Sequence, residues 1–168
     1  LAREGIMDYF DGMERDPEFR ETTRIVIARD TTAEDLISTL TPLEKLPVNY
    51  ITKILESTES LLGENMPVNI DDVISGFLST GKEPVISGFK LLGNKKEGKK
   101  ASNLETTKES ATLEAHGLAI FREGKLTGWM DGDNARGVVW VLDKAQSSDV
   151  SVNWKGKENA ISVTSVRT

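Results

Sequence analysis

Three stretches of this sequence place chemistry-bearing residues at suggestive spacings. Gly93-Asn94-Lys95-Lys96-Glu97-Gly98-Lys99 has the spacing of a phosphate-binding loop, in which backbone N–H groups cradle phosphate and a following Ser or Thr holds magnesium. Lys100 occupies that hydroxyl position, and no apolar helix follows to aim its dipole at an anion. The stretch therefore reads as a solvated loop, and no nucleotide cofactor is expected. Asp131-Gly132-Asp133-Asn134 opens like a calcium loop, but Arg136 stands where the sharp-turn Gly is needed and Leu142 where the bidentate Glu is needed. Asp131 is better explained as a helix N-cap, so no metal is expected. His116 is the single imidazole, and acid–base or triad chemistry built on it needs a nucleophile and an orienting carboxylate that nothing nominates. Neighbouring acids such as Asp71-Asp72 are expected among 27 Asp and Glu and read as caps or solvated faces. No residue is assigned a catalytic role. Trp129, Trp140 and Trp154, with Phe121, offer aromatic faces to a ligand, yet Trp140 lies in an apolar run and Phe121 in a strand, which predicts core for both. Trp154, near a turn, is the one predicted to be exposed.

Composition narrows the classes further. The 168 residues carry 21 Lys and Arg against 27 Asp and Glu, a net charge of −6, with 38% apolar residues and no Cys. Such a chain buries a sizeable core without a metal or disulfide staple. Its own field opposes phosphate backbones, so nucleic acid is not an expected partner. Absence of Cys excludes thiolate zinc sites and Cys nucleophiles without fixing a compartment. The longest apolar run, Val138 to Leu142, is far short of the roughly 18 residues of a membrane span. The opening Leu1-Ala2-Arg3-Glu4-Gly5, with neither initiator Met nor signal core, predicts a fragment of a longer protein.

The elements that must position these residues follow from periodicity. Ile6, Tyr9, Phe10 and Met13 predict a helix over 1–14, broken at Arg15-Asp16-Pro17. The β-branched run Thr22 to Ala28 predicts a strand, and Thr31 or Thr32 caps a short helix through Leu40. A helix from Pro47 to Gly63 and another, capped by Asn69, to Gly81 each present one apolar face, the second made by Ile70, Val73, Ile74, Phe77 and Leu78. Val85 to Leu92 reads as a strand, and 93–110 as a long exposed loop. A hairpin turns at Glu123-Gly124 between 112–122 and 125–129, a helix follows from 132 to Lys144, and a second hairpin joins 150–154 to 160–166. The expected class is α+β, a mixed or antiparallel sheet with packed helices. Residues 1–38 are expected to close an incomplete first α/β domain, and 39–168 to form a second, α+β domain.

The stretch Gly117-Leu118-Ala119-Ile120-Phe121-Arg122-Glu123-Gly124-Lys125-Leu126-Thr127-Gly128-Trp129-Met130, followed by Arg136-Gly137-Val138-Val139-Trp140, resembles the Ger(x)C family of spore germination lipoproteins. Thr41-Pro42-Leu43-Glu44-Lys45-Leu46-Pro47 through Tyr50-Ile51 is similar to another segment of that family, and Leu1 to Ile6 with Arg15-Asp16-Pro17-Glu18 to its upstream part. Asn134-Ala135 and Met130 depart from the family's usual Glu-Thr and Leu. The resemblance implies a non-enzymatic C subunit of a nutrient germinant receptor on the outer face of the spore inner membrane. It would be tethered by a lipid on a Cys before residue 1 and work with two membrane-embedded subunits, with a large domain following Thr168. Gly117, Phe121, Lys125, Leu126, Gly128, Trp129, Arg136, Gly137 and Trp140 then read as fold-determining, the glycines serving a turn, bulge or close approach. Lys95, Lys96, Lys99 and Lys100 form a local basic loop, the candidate partner contact in an acidic chain. A direct nutrient-binding module, with an enclosed pocket of about 300 to 1,000 Å³, is the alternative.

Overall fold

The turn at Glu123-Gly124 organises the larger sheet. Both residues adopt positive φ, 51° and 72°, the type I′ geometry whose twist matches that of the flanking strands. In the computed structural model this turn joins β3 (Ala111–Arg122) to β4 (Lys125–Met130). The model describes residues 1–20, 22–40, 47–61, 64–99, 111–142, 144, 147–154 and 157–164, the last two stretches by backbone alone. β2 (Val85–Gly93) lies antiparallel to the other side of β3, and β1 (Ile27–Ala28) pairs parallel with β2, giving a mixed sheet in the order β1-β2-β3-β4. A separate antiparallel pair, β5 (Ser147–Trp154) and β6 (Lys157–Thr164), forms the second expected hairpin. With α1 (Met7–Glu14), α2 (Ala33–Ser38), α3 (Pro47–Leu61), α4 (Ile70–Leu78), the single turn α5 (Lys95–Gly98) and α6 (Gly132–Val141), the class is α+β. No described helix is long and apolar enough to cross a membrane.

Two apolar clusters hold the layers together. The larger joins Ile6 at the N-cap of α1, Phe10 of α1 and Val73 of α4 to Ile86, Leu118 and Phe121 of the sheet and to Ala135 and Val139 of α6. The smaller sets Leu36 of α2 and Ile51 and Leu55 of α3 on Phe89 and Leu113. Residues before 38 thus contribute to both clusters. The helix heads form as their sequences dictate: the Thr32 hydroxyl accepts the Asp35 N–H at 3.1 Å, and Asp72 accepts the Asn69 N–H at 3.0 Å.

Four expectations need correction. The strand expected over Thr22 to Ala28 contracts to Ile27–Ala28. Its earlier part pairs instead with the approach to α4, Ile25 donating to the Val68 carbonyl and Ile70 to that of Thr23. Residues 95–98 of the expected loop form a helical turn, while 100–110 lie outside the described residues. Leu78, expected on the buried face of its helix, is 77% exposed. Trp140, expected in the core, is 51% exposed, and Val141 86%. A helix advances about 100° per residue, so α6 cannot bury five consecutive apolar side chains against one surface. It buries Ala135 and Val139, four apart, and turns Trp140 and Val141 outward.

Candidate functional site

A cluster of charged and aromatic groups forms just past the end of β1, where Arg29 meets residues of β3, β4 and the head of α6. β2 and β3 shift register between Ser87 and Phe89, opposite His116 and Gly117. Gly117 sits in this bulge at φ +72°, a conformation that costs an L side chain about 1 to 2 kcal/mol. A Cβ there would collide with the Asp131 carboxylate and stand 2.7 Å from Arg29 Nη1. A Cβ on Gly88 would meet the Trp129 ring and lie 2.7 Å from the His116 carbonyl. The two glycines therefore make the space that the cluster fills.

Arg29, its side chain only 16% exposed, fills it. Its two terminal nitrogens donate to both oxygens of Asp131, Nη2 to Oδ2 at 3.0 Å, the fork-to-fork match of guanidinium and carboxylate. The guanidinium also lies 4.7 Å from the centre of the Trp129 ring, a cation–π contact, with Nη1 3.5 Å from the His116 carbonyl. The hydrogen bonding between Arg29 and Asp131 raises the Arg29 pKa and holds the Asp131 carboxyl below its usual range. His116 Nε2 stands 3.9 Å from Asp131 Oδ1, the oxygen that Arg29 Nη1 holds. That carboxylate accepts from Arg29 at both oxygens, and 3.9 Å is too long for the hydrogen bond by which a triad carboxylate orients its imidazole.

A second cluster lies at the other end of β2. Asp35 of α2, with its side chain 16% exposed, receives Lys99 Nζ at 2.9 Å and Lys95 Nζ at 3.2 Å. Lys99 first, then Lys95 and the Thr32 hydroxyl, holds its carboxyl well below the usual carboxylate range. Two of the lysines expected to meet a partner are thus tied to α2. Lys96 is exposed and its N–H donates to Asn94 Oδ1, while Lys100 lies outside the described residues.

The motif residues divide into those that build the fold and those left at the surface. Phe121 is buried, and the Leu126 N–H donates to the Ala2 carbonyl at 2.8 Å. Gly128 faces Ile120 beside a second register shift of the hairpin. Arg136 Nη2 donates to Glu64 Oε1 at 2.7 Å. Lys125, Gly137 and Trp140 are exposed. Asp131 and Asp133 do not join a metal cage, and among the described residues no three His, Asp or Glu groups are placed to hold an ion. Arg29, Asp35 and Glu64 were not singled out by sequence. Their partners lie 102, 60 or more, and 72 residues away, and no local pattern connects them. An open cleft of about 500 Å³ runs between α4, the start of β2 and the end of α6, with Met66, Val68, Val85 and Leu142 among its walls.

Residues 1–91 match the domain described as "Spore germination protein N-terminal domain", and residues 116–168 that described as "Spore germination B3/ GerAC like, C-terminal". The chain belongs to the GerAC family of spore germination proteins. It is similar to "Spore germination protein KC" of Bacillus subtilis (strain 168), 36% identical over 165 residues, which is 97% of this chain and 40% of that protein. It is also similar to "Putative spore germination protein YfkR" of the same organism, 25% identical over 153 residues, 91% of this chain and 36% of that protein. This GerAC-family chain therefore spans less than half the length of these relatives. No solved structure matches it. The family domains give the ion pairs an added meaning: Arg29 and Glu64 lie in the first matched region, Asp131 and Arg136 in the second. Two reciprocal ion pairs, one ending on the N-cap of α6 and one within its first half, tie the matched regions of this GerAC chain together.

Proposed function

We propose that this chain is part of a non-enzymatic subunit of a spore nutrient germinant receptor, held at the outer face of the inner membrane by a lipid. It acts through protein–protein contacts with the receptor's two membrane-embedded subunits. The observation that carries this reading is the ordered match of both germination-family domains, together with 36% identity to a spore germination protein over 97% of the chain. The chemistry of the described residues is in keeping with it, because the best-placed charged groups are engaged in ion pairs with one another. Lys95, Lys96, Lys99 and Lys100 are the proposed contact to an acidic partner surface. Lys95 and Lys99 reach it only by sharing their charge with Asp35, so among the three described lysines the exposed Lys96 carries most of the recognition. Co-purification of the full-length protein with the membrane subunits tests the assignment, and recovery of the protein alone from membranes would contradict it. Reversing the charges of Lys96 and Lys100, which leaves the Lys95 and Lys99 pairs with Asp35 in place, should leave folding intact and weaken assembly in a salt-sensitive way.

The cleft beside α4 favours one second reading, direct binding of a small nutrient. Its volume of about 500 Å³ suits such a ligand, although it is open rather than enclosed. A saturable thermal shift with amino acids or sugars would support this reading, and no shift at millimolar concentrations would remove it.

A further inference from the structure

The head of α6 differs from those of α2 and α4. Asp131 has the extended backbone of an N-cap residue, φ −125° and ψ 159°, and its carbonyl accepts the Ala135 N–H. Aspartate is among the best side chains for capping the N–H groups two and three residues on. Yet the Asp131 side chain makes no cap hydrogen bond, because both its oxygens are held by Arg29. The next residue, Gly132, has φ +52°, so the chain swings away from helical geometry between the cap and the first turn. A Cβ at Gly132 would meet nothing within 4 Å. Packing therefore does not require glycine there; the positive φ does. Beyond it, Asp133, Asn134 and Gly137 are weak helix formers, which leaves the first turn of α6 reliant on whatever satisfies its amides.

We propose that Asp131 and Gly132 form a two-position latch: the carboxylate binds Arg29, as in this structure, or turns back to cap α6 when Gly132 relaxes to negative φ. In the first position the end of β1 is coupled to α6 through Asp131 and Trp129. In the second, α6 is better capped and this coupling is lost. The latch thus sets whether the two matched family regions are joined through Arg29, while the Glu64–Arg136 pair holds in both positions. It stands independently of the receptor assignment, since it rests only on the geometry around Asp131.

Amide hydrogen exchange on the chain tests it, because a purely structural ion pair and a latch predict opposite signs. In Arg29→Gln the freed carboxylate caps the helix, and the Asp133 and Asn134 amides should exchange about fivefold more slowly, the equilibrium equivalent of one cap bond. Gly132→Ala, which faces open space and disfavours positive φ, should produce the same slowing and remove the Arg29 side-chain N–H signals from their Trp129-shifted positions. Asp131→Ala removes both positions and should show no slowing. Unchanged or faster exchange at Asp133 and Asn134 in Arg29→Gln would overturn the latch. So would a Gly132→Ala chain that keeps Arg29 paired without gaining protection; this second variant holds the test open should Arg29→Gln fail to fold.

Discussion

The Arg29 and Asp35 clusters use the same charges in opposite arrangements. At Arg29 one cation serves a carboxylate and an indole ring within a space made by Gly88 and Gly117. At Asp35 one carboxylate gathers two lysines whose long stems reach it from the start of α5 and from the residue that follows it. The first fixes four elements at once, and its planar groups leave little freedom to lose. The second joins α2 to α5 at a rim, where flexible ammonium groups remain in contact with water. Similar ion-pair distances therefore do different structural work, and the difference lies in how much of the backbone is shaped around each pair.

The sharpest way to break the comparison is to remove what each cluster stands on. Phe89 is fully buried in the smaller core, which also holds Leu36 of the helix bearing Asp35. Phe89→Ala should cost about 3 to 5 kcal/mol by transfer and cavity terms, read from the urea midpoint. If that region were held mainly by Asp35, the loss would be far smaller. At the other cluster, Gly117→Ala introduces both a positive-φ penalty and a collision with the Asp131 carboxylate. We expect a loss of at least about 2 kcal/mol in thermal or urea unfolding. A near-neutral effect would show that the space around Arg29 is not filled as described.

Arg29→Gln should destabilise by about 1 to 2 kcal/mol, between the values for exposed and buried pairs, since Arg29 is mostly buried and Asp131 only partly so. Its pH signature is more specific. Because Arg29 depresses the Asp131 pKa, the stabilisation is complete above the unfolded value of about 3.9 and is lost as pH falls through the lower folded value. In Arg29→Gln that acid-side loss should shrink, and the Asp131 carboxyl should titrate nearer about 3.9 by NMR. The smallest effect is expected for Lys95→Ala or Lys99→Ala alone, because the other lysine still holds Asp35. Only the double variant should move the Asp35 titration well up towards the ordinary carboxylate range, the Thr32 hydroxyl still holding it somewhat low, and its unfolding midpoint should move less than that of Arg29→Gln.

Local chemistry determined much of this protein from sequence alone. Apolar stripes placed α1, α3 and α4, Thr32 and Asn69 marked the helix heads, and Glu123-Gly124 announced the hairpin, because each depends on residues within a turn or two of one another. The spaced motifs from Gly117 to Trp140 pointed to the germination family without any structure. Tertiary structure alone decided which cation met which carboxylate. Asp131 reads locally as a helix cap, and nothing nearby shows that Arg29, 102 residues earlier, takes its carboxylate instead. It also decided the fate of Trp140: an apolar run sets how much surface a helix offers for burial, but the surface facing it sets which side is covered. Short-range rules fix where elements begin and turn, whereas pairing between distant side chains is settled only when packing brings them within a few ångströms, since that is the reach of hydrogen bonds and van der Waals contact.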